Sequence, residues 1–202
     1  MVKDVFPREW FNNYEKIKVK FHSGYNYPEF DTIRDEICKC LICDLNLAAI
    51  TLTNHLLEDF LKKMLIYKNV KKENESIFGA FDASTKEYDG ITLFNSIEKA
   101  FVENIISEEQ KDLLHQFRNE FRNPYSHAES KKIFSGLTVG VQEVKLENNK
   151  FNVSEYKQEE IIGLPFVHGL VKIEIAKQIA VQYFDLVDEI IRDILNNRKP
   201  SL

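Results

Sequence analysis

Apolar positions along the chain recur mostly at helical spacing, so the pattern predicts a string of helices with one interruption. Pro7 is placed to open a short first helix carrying Trp10, Phe11 and Tyr14. The stretch from His22 to Phe30 is rich in Tyr, Gly, Asn and Pro and reads as a loop. From Ile33 to Tyr67 the pattern predicts one long helix. Between Lys39 and Glu58 only Asp44 carries a formal charge, and apolar residues occur nearly all round. A helix of that kind is buried and central, the spine of a bundle. Residues 68–90 mix charges with Gly and Ser and read as a long connection, a candidate mobile lid with one helical turn near Ile77 to Phe81. Ile91 to Ile106 follows as an amphipathic helix with Leu93, Phe94, Ile97, Phe101 and Ile105 on its apolar side.

Ser107 is an N-cap for the next helix, with Gln110 at the capping-box position and Glu108 and Glu109 at the positive end of the helix dipole. Leu113, Leu114, Phe117 and Phe121 make its apolar stripe. Pro124 disfavours helix at Asn123, so the helix should stop there. The period then changes. Leu137 to Leu146 and Phe151 to Tyr156 alternate and are rich in β-branched residues, which predicts a hairpin over about 137–156 with an Asn-containing turn. Phe166 to Asn197 closes the chain as a long helix. The expected architecture is an all-α helical bundle, a single domain over 1–202, with a long central helix and a small β-hairpin inserted before the last helix.

Composition narrows the classes. A chain of 202 residues with 44% hydrophobic and 29% charged content can bury a core without staples. The formal net charge of −5 supplies no global field towards nucleic acid or anionic lipid, so any RNA contact must come from a local patch. Asp44, Asn46, Thr51, Thr53, Asn54 and His55 interrupt the apolar run, which argues against a membrane span. The N-terminus lacks an apolar signal segment, and Cys38, Cys40 and Cys43 are an odd count, so reduced thiols in a cytoplasmic protein are expected. Cys40 and Cys43 are spaced C-x-x-C, but no second pair completes a metal site, and buried structural cysteines are the ordinary reading. His55 reads as a hydrogen-bonded core histidine.

The densest candidate chemistry lies between Ser107 and His127. Lys111, His115, Arg118 and Arg122 are spaced by three and four and form a second stripe beside the apolar one. Arg118 and Arg122 repel at i,i+4 by only about 0.2–0.5 kcal/mol, which a solvated face tolerates. A face awaiting a carboxylate or phosphate is the sharper reading. Past Pro124 the chain can bring His127 back towards Arg122. An arginine and a titratable histidine within one turn suit phosphoryl chemistry, one stabilising charge and the other moving protons.

The segment Arg122-Asn123-Pro124-Tyr125-Ser126-His127 resembles the R-x4-6-H motif of the HEPN superfamily, including the polar residue that follows the arginine. The likeness extends upstream to Gly90, and Leu56 to Leu65 is similar to the family's long second helix. Together with the final helix these segments span about two-thirds of the chain. The resemblance implies a helical bundle, a homodimer with two motifs facing each other across the interface, and metal-independent RNA cleavage with no cofactor. Carried over residue by residue, His127 is the acid–base residue, Arg122 holds the scissile phosphate, and Asn123 orients one of them. Arg118 and His115 extend the phosphate-binding surface, with plain surface residues as the alternative. Tyr125 occupies a variable position of the motif, where turn chemistry is its ordinary role and substrate contact the sharper one.

Two classes of function remain open. The first is an endoribonuclease acting through the 2′-hydroxyl of its substrate, an effector of antiphage defence or of a toxin–antitoxin pair with an antitoxin or regulatory protein as partner. The second is a catalytically silent HEPN-like scaffold or adaptor that binds another protein.

Overall fold

The computed structural model describes residues 8–70, 77–119, 142–147, 150–155 and 165–197. In chain order the helices are α1 (Arg8–Phe21), α2 (Pro28–Ile42), α3 (Asn46–Lys68), α4 (Ile77–Tyr88), α5 (Leu93–Val102), α6 (Glu108–Phe117) and α7 (Pro165–Asn197). The architecture is an all-α bundle. Between α6 and α7, strands β1 (Gln142–Glu147) and β2 (Lys150–Glu155) pair antiparallel, with Val144 opposite Val153. Among the described residues no helix is long and apolar enough to cross a membrane.

The central helix is α3, which packs against α2, α4, α5 and α7. Its sequence explains the position. Ile50, Leu56, Leu57, Phe60, Leu61 and Leu65 are all fully buried and point in several directions, as a helix apolar on most of its circumference requires. Thr53 is also buried, with its hydroxyl donating to the Ala49 carbonyl at 2.8 Å. The remaining stripe of α3 faces solvent through Thr51 and His55. His55 is therefore an exposed residue rather than the core histidine its apolar neighbours suggested.

The long helix expected from Ile33 to Tyr67 is two helices. The break falls at Cys43–Leu45, where Asp44 adopts φ 59°, the left-handed conformation that Asp and Asn tolerate better than most residues. The Leu45 amide bonds back to the Cys40 carbonyl at 2.8 Å, and the Asn46 side chain holds the Asp44 carboxylate at 2.7 Å. Asn26 and Asn104 take the same left-handed conformation at the α1–α2 and α5–α6 junctions. Cys38 and Cys40 consequently lie in α2 and Cys43 at its end, all three as free thiols. The connection expected over 68–90 contains a three-turn helix, α4, held by tertiary contacts: Ser84 donates to the Asn69 carbonyl at 2.7 Å, and Phe81 meets Tyr67 edge to face.

A buried polar cluster ties the two ends of the bundle together. Asp188 of α7 is 3% exposed and accepts from the Arg34 Nε of α2 at 2.8 Å, the Tyr25 hydroxyl at 2.6 Å and the Arg192 Nε at 2.8 Å. Arg192 also donates to the Ser23 carbonyl at 2.6 Å, fixing the α1–α2 loop. The Arg34 guanidinium lies over the rings of Tyr25 and Phe184. Burial alone would raise the Asp188 carboxyl pKa, but the three donors and the Arg34 charge outweigh it and hold the group below the usual aspartate range.

Candidate functional site

Helix α6 begins as its sequence dictates. The Ser107 hydroxyl accepts from the Gln110 amide, and the Gln110 side chain accepts from the Ser107 amide, a complete capping box. Leu114 and Phe117 are buried, and Phe117 meets Tyr183 of α7 edge to face at 5.7 Å. The Tyr183 hydroxyl in turn donates to Asn54 of α3 at 2.5 Å. The ring that anchors α6 is itself tied to α3.

With that face inward, the cationic stripe of α6 turns towards α5. Lys111 Nζ lies 3.0 Å from Glu98 Oε2, and His115 Nε2 lies 2.7 Å from Glu98 Oε1. An ionised carboxylate only accepts, so the His115 proton sits on Nε2 and points at Glu98. The hydrogen bond from Lys111, then that from His115, hold the Glu98 carboxyl below its usual range. The first two members of the stripe are thus already matched to an anion belonging to the chain itself.

Arg118 is different. Its guanidinium lies over the Phe94 ring, 5.1 Å from the centroid, and it has no carboxylate partner among the described residues. Among the described residues its Nε is buried without an acceptor, and His115 Nδ1 is buried without a hydrogen-bond partner. The His115 ring packs on the same Phe94 at 5.0 Å between centroids. Phe94 itself is 44% exposed, a departure from its expected place on the apolar side of α5; Leu93 and Ile97 fill that side. Phe94, His115 and Arg118 together make a surface that is aromatic and cationic at once.

Of the residues singled out in the sequence, His115 and Arg118 are therefore brought together around Phe94. Arg122, Asn123, Tyr125 and His127 lie outside the described residues. Glu98 and the role of Phe94 escaped the sequence reading. The spacing along α5 identifies its buried side, but nothing local says which helix will lie across its edge. Among the described residues no cluster of three or more His, Cys, Asp or Glu side chains is arranged to hold a metal ion. Compared with protein-family models, curated proteins and solved structures, the chain has no match.

Proposed function

We propose that this protein is a HEPN-type endoribonuclease that cleaves RNA without a metal, acting as a homodimer in the cytoplasm as a defence or toxin–antitoxin effector. The observation that carries the reading is Arg118, a guanidinium with no carboxylate partner among the described residues, four positions before Arg122 in the sequence. In the proposed reaction the substrate's 2′-hydroxyl attacks the adjacent phosphorus and the bond to the 5′-oxygen breaks. The products are a 2′,3′-cyclic phosphate and a 5′-hydroxyl. His127 of one protomer accepts the 2′ proton, and its counterpart across the dimer donates a proton to the leaving oxygen. Arg122 stabilises the charge that builds on the phosphoryl oxygens, and Asn123 orients the group. Positioning, charge and proton transfer suffice because the nucleophile is internal to the substrate.

A second reading, a catalytically silent scaffold or adaptor, is favoured by the pairing of Lys111 and His115 with Glu98, which occupies both side chains away from the proposed RNA face. RNA cleavage in excess EDTA separates the two, with wild type beside His127→Ala and Arg122→Ala and the dimer checked for each. Cleavage by wild type alone supports the ribonuclease. Intact RNA with wild type, or equal cleavage by folded variants, refutes it and leaves the adaptor.

A further inference from the structure

We propose that Phe94 and Arg118 form a nucleotide subsite for single-stranded RNA, the ring of Phe94 stacking an unpaired base and the Arg118 guanidinium taking a backbone phosphate. The inference rests on the ribonuclease reading and extends it to the class of substrate.

Three observations carry it. Phe94 is 44% exposed, a large ring left at the surface although α5 buries Leu93, Ser96, Ile97 and Ala100 beneath it. Arg118 lies across that ring with no carboxylate partner among the described residues, while Lys111 and His115 beside it share Glu98. The Arg118 Nε is buried without an acceptor among the described residues, and the guanidinium lies against the ring. The terminal nitrogens of a guanidinium form a planar fork, the geometry that matches phosphate oxygens.

The pairing of a partly exposed aromatic ring with a cation that has no carboxylate partner among the described residues is complementary to a nucleotide, which presents a π-face and a negative charge a short distance apart. It fits a single strand in particular, because bases within a duplex already stack on each other and cannot reach a protein ring. Phe94 is also the second residue of α5, so the subsite lies at the positive end of that helix dipole. A base has a π-face whatever its identity, so the subsite accepts any sequence. It also accepts DNA, because neither group reads the 2′-hydroxyl. Binding and cleavage are consequently separable.

The test measures binding of dye-labelled single-stranded DNA, which lacks the nucleophile and survives, beside the same sequence as duplex DNA. Cleavage of the matching RNA is scored separately. Wild type should prefer the single strand. Phe94→Ala and Phe94→Leu should bind it about 5- to 150-fold more weakly, the range seen when one stacked base is lost. Phe94→Trp should bind and show fluorescence quenching on stacking. Arg118→Ala should reduce the slope of log affinity against log salt by about 0.7, one phosphate contact on a single strand. If both Phe94 variants bind like wild type while wild type cuts RNA and His127→Ala does not, the subsite is overturned and the ribonuclease reading stands. If binding depends on Phe94 but wild type leaves RNA intact, cleavage falls and the subsite stands. No binding by wild type overturns the subsite, and no binding together with intact RNA overturns both.

Discussion

The Arg34 guanidinium donates through Nε to Asp188 at 2.8 Å, joining residues 154 positions apart in a site where Arg34 is 0% exposed. Among the described residues the terminal nitrogens of Arg34 have no hydrogen-bond partner, and one carboxylate and two aromatic rings compensate its burial. Removing Asp188 leaves a buried, uncompensated cation. Asp188→Ala should lower stability by about 3–5 kcal/mol in urea denaturation. Replacing both partners with apolar residues, as in Arg34→Met with Asp188→Leu, should recover most of that loss, because no buried charge remains.

The same carboxylate sets an acid limit. The native pKa of Asp188 lies below its unfolded value, so the unfolded chain takes up the proton first as pH falls. The contribution is therefore complete above the ordinary aspartate range and is lost as pH drops through the native value. Urea melts from about pH 6 to about pH 2.5 should show stability falling towards the acid end, and Asp188→Asn should flatten that dependence.

Cys38 is fully buried, and burial first of all pushes its thiol up to about 11. The thiolate is the reactive species, so Cys38 should resist a thiol-specific reagent at about pH 8 until the protein unfolds. Cys38→Ser should leave the number of rapidly reacting thiols in the native protein unchanged.

The Ser107 cap satisfies the Gln110 amide at the start of α6 without touching the core. Ser107→Ala should cost about 1 kcal/mol. For a chain of this size that corresponds to a fall of about 2–4 °C in Tm, readable by circular dichroism.

Glu98 occupies Lys111 and His115, and its removal should release charge towards a bound strand. On the ribonuclease reading, Glu98→Gln should tighten binding of single-stranded oligonucleotide. Each cation newly available to the strand should steepen the salt dependence by about 0.7. Unchanged affinity and slope would show that this end of the stripe lies off the path of the strand.

Helices with a single apolar stripe were legible in the sequence. The periodicity of α5 and α7 places both to within a few residues, α1 carries Trp10, Phe11 and Tyr14 as expected but runs on to Phe21, and the Ser107 capping box opens α6 as read, its expected end near Pro124 lying outside the described residues. The break between α2 and α3 was hidden because apolar residues run straight across Cys43–Leu45. The chain turns there through the left-handed backbone of Asp44, and periodicity carries no sign of that. Helix α4 was read only as one turn near Ile77 to Phe81, because the small and charged residues that follow mask its length; it is anchored by Ser84 on Asn69 and Phe81 on Tyr67. At the candidate site, spacing put Lys111, His115 and Arg118 on one face. Their division into two cations shared with Glu98 and one laid on Phe94 follows from how α5 and α6 meet, a tertiary fact beyond any local window.

The tie between Arg34 and Asp188 also governs how the chain is made. A ribosome adding roughly 5–20 residues per second needs roughly 8–30 s to pass from one partner to the other. Throughout that interval α2 and α3 exist without α7, which covers one side of α3 and carries the carboxylate that neutralises Arg34. The nascent protein must therefore wait, with an apolar flank and an unmatched guanidinium, until α7 has been made. Any activity that depends on the closed bundle begins only after α7 has emerged.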